Sequence, residues 1–140
     1  MNEKSTSLVS IIILNYNAGK LLHDCVESIF KSHNKNFEVI LVDNASSDKT
    51  YKQCKEKFND IILLENKKNL GYEANLIKGI KYVLKYCKNI KYIITLDADG
   101  ELSPANISKL INKIKKSNYD IVIGNRKKLN RLSENILSLI

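Results

Sequence analysis

Proline and glycine are scarce, with one Pro and five Gly in 140 residues. That scarcity excludes Pro/Gly-rich linkers, and neither an internal repeat nor a low-complexity segment is present. No apolar run approaches the ~18 residues of a membrane span. The polar residues 1–7 carry no apolar stretch of the signal-peptide kind. Cys25, Cys54 and Cys87 form an odd, widely spaced set, which fits reduced thiols in the cytoplasm better than disulfides or a zinc site. His23 and His33 lack metal-ligand spacing to other His or Cys and read as structural or solvated. The Gly-rich turn of a dinucleotide fold is missing after the first strand, and so is a Gly-Lys-Ser/Thr phosphate loop. The net charge of +8 comes without a recognition helix or an RNA-binding signature. Nucleic acid is therefore not an expected partner, and a solvated lysine-rich surface accounts for most of the charge.

What is present is alternation. Residues 8–14 are nearly all apolar, as a central parallel strand requires. Leu22, Val26, Ile29 and Phe30 then recur at helical spacing. Residues 37–42 form a second strand ending at Asp43, and a helix starts near Lys49. Residues 61–64 are a short third strand. A helix over residues 72–86 puts Leu76, Ile80, Val83 and Leu84 on one face. Residues 90–96 read as a fourth strand buried on both faces. Pro104 suits the first turn of a further helix, striped by Ile107, Leu110, Ile111 and Ile114. Residues 120–124 read as a fifth strand. This order predicts an α/β domain: a mostly parallel sheet with helices on both faces.

The polar clusters fall where strands end. Asn15 and Asn17 follow the first strand, Asp43 to Asp48 the second, Asn69 and Gly71 the third, and Asp97 and Asp99 the fourth, so all lie at one edge of the sheet, where α/β folds bind ligands. Two carboxylates two residues apart repel one another unless a cation intervenes. Hard oxygen ligands suit Mg2+ or Mn2+. With no glycine cradle for phosphate, a metal at Asp97 and Asp99 is the expected anchor. Plainer uses remain open: Asp48 as a helix cap, Asn15 and Asn17 as turn residues, Asp97 and Asp99 as a solvated acidic turn.

Residues 11–17, Val42-Asp43-Asn44-Ala45-Ser46-Ser47-Asp48-Lys49-Thr50, Asn69-Leu70-Gly71-Tyr72 and Leu96-Asp97-Ala98-Asp99-Gly100, in this order, resemble family 2 glycosyltransferases of the GT-A fold. Asp97-Ala98-Asp99-Gly100-Glu101-Leu102-Ser103-Pro104, residues 121–126 and residues 131–135 are similar to the polyprenyl-phosphate branch, as in dolichyl-phosphate mannose synthases. Glu73, Asn75 and Asn125 depart from that branch, where Gly, Ala and Ser are common. The resemblance implies a UDP- or GDP-sugar donor. Asp43 would contact the base, Tyr16 and Asn17 would line its pocket, and Asp48 would support that loop. Asn69 and Gly71 would lie near base and ribose. Asp97 would face ribose or sugar, directly or through the metal, and Asp99 would hold the metal on the diphosphate. Arg126, with Arg131, would face the phosphate of a lipid acceptor.

The expected reaction is metal-dependent sugar transfer to polyprenyl phosphate. Two alternatives stand beside it: a saccharide acceptor, or a non-catalytic nucleotide-sugar-binding domain. A signalling receiver domain fits less well, since its acidic pair should follow the first strand, where Asn15 and Asn17 stand. Residues 1–124 are the expected nucleotide-sugar core. Residues 125–140 form a basic amphipathic segment that packs on the core or lies on an anionic membrane from the cytoplasmic side. The pattern stops at Ile140 without a cap, so the acceptor half is expected to be truncated there.

Overall fold

In the computed structural model the described residues are 9–32, 36–98, 106–117 and 119–124. They form two compact units that part between Ile107 and Ser108. In the first unit β1 (Val9–Asn15), α1 (Lys20–Phe30), β2 (Phe37–Asp43), α2 (Thr50–Lys57), β3 (Ile61–Glu65), α3 (Tyr72–Tyr86) and β4 (Tyr92–Asp97) alternate as expected. All strand pairs are parallel, in the order β3-β2-β1-β4. The register places Asn15 beside Asp43, and Leu14 beside Asp97. The chain moves outward from β1 to β3, then crosses back to set β4 on the other side of β1. Loops leaving β1 and β4 therefore diverge, which opens a crevice at their carboxyl ends.

Every residue of β1 is buried, because helices cover both faces of a central parallel strand. Ile12, Leu14, Ile40 and Val42 point to one face and pack with Val83 of α3, with Leu76, Ile80 and Tyr82 around them. Leu22, Cys25, Val26 and Ile29 form the buried side of α1, which packs on α2. Phe30 stacks on Phe58 there, with ring centroids 5.0 Å apart.

Three expectations change. The buried stripe of α3 is Asn75, Gly79 and Val83, whereas Leu84 is 73% exposed. Gly79 lets the helix approach the sheet: a Cβ there would lie 2.6 Å from Ile12 Cγ2. β4 is not buried on both faces. It is the edge strand of the described sheet, and Ile93 and Thr95, which share one face, are exposed. Residues 121–124 form no strand, and Ile121 and Ile123 are largely exposed, with no ladder partner among the described residues.

The helix α4 (Ile107–Lys116), in the second unit from Ser108 onward, carries the expected stripe, with Ile111 buried and Leu110 and Ile114 half-buried. Asp99, Pro104, His33, Arg126, Arg131 and the segment 125–140 lie outside the described residues. Among those described, no helix is long and apolar enough to cross a membrane.

Candidate functional site

The loops at the carboxyl ends of the strands are tied together by short polar side chains. Asn15 ends β1, 1% exposed, and its Nδ2 donates to Asp43 Oδ1 at 2.7 Å and to Ser46 Oγ at 3.0 Å. Ser46 donates its hydroxyl to Asp43 Oδ1 at 2.6 Å and its backbone N–H to Asp43 Oδ2 at 2.9 Å. The Asn17 N–H donates to Ser46 Oγ, while Asn17 Oδ1 accepts from the Ser47 N–H at 2.8 Å. The loops after β1 and β2 are thus laced to each other. The lacing holds Asn17, Ala45 and Lys49 at positive φ of 51°, 64° and 59°. That region is costly for residues with a Cβ and is tolerated where surrounding contacts over-determine it.

Asp48 links the starts of two helices. Its Oδ1 accepts from the Thr50 N–H at the start of α2, and its Oδ2 from the Gly19 N–H before α1. One carboxylate therefore accepts a backbone N–H at the start of each of two helices.

On the other side of β2, Asn44 is 5% exposed and Asn75 3%. Asn44 Oδ1 accepts from Asn66 Nδ2 and from the Leu70 N–H, and its Nδ2 donates to Asn69 Oδ1 at 2.8 Å. Asn75 Nδ2 donates to the Val42 carbonyl and its Oδ1 accepts from Asn66. Gly71, at φ 84° and ψ 167°, turns the chain into α3 in a conformation that only glycine adopts without strain.

These loops border an open cavity of about 460 Å3, within the range of small-molecule sites. Asn15, Tyr16, Asn17, Asn44, Asn69, Gly71, Tyr72, Asn75 and Asp97 are among its lining residues. Five of the sequence-predicted residues thus border one space: Tyr16, Asn17, Asn69, Gly71 and Asp97. Asp43 does not border it. Asp43 is 1% exposed, and its carboxylate accepts from three donors on Asn15 and Ser46. Asp48 likewise works from behind the wall, and Asp99 and Arg126 lie outside the described residues. The charge of Asp97 is felt in the cavity: burial, and then that carboxylate, push the Tyr72 hydroxyl above its ordinary pKa.

Asn15 Oδ1 is buried and has no partner among the described residues. Its amide cannot flip, because Nδ2 is needed by Asp43. A bare buried acceptor of this kind costs about 1–3 kcal/mol.

The sequence reading missed Asn66, Asn75 and Lys78. Their signal was a polar residue, Asn75, four positions before Gly79 and eight before Val83 on the buried side of a helix. A second cluster lies elsewhere: His23, Asp24 and Glu27 each bring a ligand atom within 4.8 Å of the others. Glu27 already pairs with Lys31 at 3.4 Å and Lys57 at 3.7 Å. The hydrogen bond and charge of Lys31 hold its carboxyl below the ordinary range. That cluster is a surface ion-pair network, away from the cavity lining.

Residues 10–135 match the family described as "Glycosyl transferase family 2". Among curated relatives, the UDP-N-acetylglucosamine–dolichyl-phosphate N-acetylglucosaminyltransferase of Methanococcus voltae is 30% identical over 134 residues, covering 85% of this chain and 52% of that protein. The S. aureus TarS 1–349 structure in complex with UDP-GlcNAc superposes with a TM-score of 0.70 at 20% identity, covering 87% of this chain and 35% of that one. The mannosyltransferase PcManGT of Pyrobaculum calidifontis, in complex with GDP-Man and Mn2+, gives 0.59 at 22% identity over 84% of this chain and 34% of that one. These likenesses establish the GT-A fold. The chain spans between 36% and 49% of the length of the first curated relatives it matches.

Proposed function

The chain belongs to glycosyl transferase family 2, and from that premise we propose that it binds a UDP- or GDP-sugar in the cavity and serves transfer of the sugar to polyprenyl phosphate. The observation that carries this reading is the cavity itself. Polar loops from β1, β2 and β3, and Asp97 at the end of β4, border one space of about 460 Å3.

Tyr16 offers a half-exposed ring, and Asn17 a side chain fixed by Ser47, to the base. Asp43 acts on the base pocket by holding Asn15 and Ser46, and Asp48 by tying the loop below it. Asn69 and Gly71 border the ribose. The hard carboxylate of Asp97, with that of Asp99 two residues on, fits Mg2+ or Mn2+. When bound, such an ion offsets the charge of the departing nucleoside diphosphate. The phosphate of a lipid acceptor is already anionic, so no general base is needed and positioning dominates the rate. Arg126 and Arg131 are assigned to that phosphate. The basic segment 125–140 is assigned to the cytoplasmic membrane surface that carries it. The name of the M. voltae relative supports this choice of acceptor.

The test has two parts. UDP- and GDP-sugars are screened for thermal stabilisation with and without Mn2+. A ligand at 100 times its Kd adds about 2.7 kcal/mol. Labelled donor is then incubated with polyprenyl phosphate or with saccharides. Label in the lipid extract supports the proposal, and label in the aqueous fraction moves the acceptor to a saccharide. Binding without transfer leaves a nucleotide-sugar-binding domain. No metal-dependent stabilisation by any donor refutes the reading.

A further inference from the structure

Four side chains run in line from a lysine on α3 to the cavity. Lys78 Nζ donates to Asn66 Oδ1 at 2.6 Å, Asn66 Nδ2 to Asn44 Oδ1 at 3.2 Å, and Asn44 Nδ2 to Asn69 Oδ1 at 2.8 Å. Groups that cannot reverse fix the polarity of every amide. An ammonium only donates. The Leu70 N–H holds Asn44 Oδ1 at 2.9 Å, and the Gly71 N–H holds Asn69 Oδ1 at 2.9 Å. Asn75, which takes a second Asn66 proton at 2.7 Å, is itself pinned by the Val42 carbonyl. The amides therefore align head to tail, starting from a cation, and each link polarises the next. At the far end Asn69 lines the cavity with its Oδ1 taken twice, so what it offers there is its Nδ2 donors.

We propose that this relay determines donor specificity. Lys78, Asn66 and Asn75 are positioning residues that act through Asn44 and Asn69 to present hydrogen-bond donors to an acceptor oxygen of the bound nucleoside, on its base or its ribose. The proposal rests on the reading of the cavity as a nucleotide-sugar site. A donor whose orientation is fixed by its neighbours favours a ligand that carries the matching acceptor over one that lacks it.

The decisive variant is Asn66→Asp. It keeps the shape of the side chain and an acceptor for Lys78, but removes both protons that Asn44 and Asn75 receive. Affinity for UDP and GDP is measured by calorimetry on the 140-residue chain with Mg2+, and the Asn69 side-chain amide is followed by NMR. The parent binds at least one nucleotide, and adding it shifts the Asn69 amide resonance. Asn66→Asp raises Kd about tenfold and abolishes that shift. Lys78→Met raises Kd roughly threefold, and Lys78→Arg restores parental binding. 2′-Deoxy-UDP narrows the source of the acceptor: the variants' penalty vanishes with it if the oxygen is the ribose 2′-hydroxyl and persists if it is another ribose oxygen or lies on the base. Should Asn66→Asp not fold, Lys78→Met decides alone, since it alters a half-buried side chain. Variants that bind as the parent does, or an Asn69 amide that ignores the nucleotide, overturn the relay and leave the site standing. A parent that binds neither UDP nor GDP overturns both.

Discussion

Gly79→Ala tests how closely α3 is seated on the sheet. In an exposed helix the change is favourable, by about 1 kcal/mol of helix propensity. Here the added Cβ would stand 2.6 Å from Ile12 Cγ2 and 3.1 Å from Val42 Cγ2. Both neighbours are fully buried in β1 and β2, and both are β-branched with stiff χ1 angles, so neither can swing aside. Relief has to come from lifting the helix, and overpacking of this kind costs about 1–3 kcal/mol. The net expectation is a loss of up to about 2 kcal/mol, at roughly 3–5 °C in Tm per kcal/mol for this chain length. Urea titration measures it, with an unchanged m-value showing that the denatured state is not the cause. Lifting α3 also displaces Tyr72 and Asn75 from the cavity wall, so nucleotide affinity falls with stability. The control is the Ile12→Ala background, which removes the methyl in the way. There Gly79→Ala becomes neutral or stabilising, giving a coupling above about 1 kcal/mol. A Gly79→Ala protein more stable than the parent refutes the reasoning.

Asp43→Ala removes an acceptor used by three donors. It is expected to cost about 2–4 kcal/mol in chemical denaturation and to weaken nucleotide binding without changing its metal dependence. Asp99→Ala is expected to abolish Mn2+-dependent nucleotide-sugar binding while the circular dichroism of the fold stays as in the parent. Burial pushes the Cys54 thiol up to about 11, and burial, with a hydrogen bond to Glu38 behind it, pushes Cys87 up to about 12. Both folded values exceed the unfolded one, so their contribution is intact below pH 9 and is lost as pH rises towards 11–12. Tm should fall across that window. Iodoacetamide at pH 7.5 should label all three cysteines at appreciable rates only after unfolding.

The fold was readable where one pattern had one cause. Residues 37–43 and 72–86 were bounded correctly because a continuous apolar run and a 3.6-residue stripe each admit a single element. Residues 120–124 were not, because an apolar run states that a segment could pair, not that an edge is offered to it. The same limit applies to β4, whose Ile90–Leu96 run reads alike for a central strand and an edge strand. In the site, residue types and loop positions were legible: Tyr16, Asn17, Asn69, Gly71 and Asp97 reach the cavity. Their hierarchy was not. Nothing in the order of residues says that Asp43 accepts from both Asn15 and Ser46, or that Asn66 and Lys78, twelve positions apart, meet at 2.6 Å. Those facts arise from the crossover that brings β3, α3 and β2 together.

The strand order also sets a timetable for synthesis. β1 meets β2 across 28 positions of sequence, as in Val9 with Phe37, but meets β4 across 83, as in Val9 with Tyr92. No pair in this sheet is a hairpin, so each must wait for a crossover to be made. On a ribosome β1, β2 and β3 can assemble while one flank of β1, including Ile11 to Leu14, still awaits its partner. That flank stays open to other chains until residues 92–97 emerge. Closing so distant a contact is slow. Docking of β4 should therefore be the late step of refolding, and Ala98, whose N–H donates to the Leu14 carbonyl at 3.1 Å, should gain hydrogen-exchange protection after the amides shared by β1 and β2.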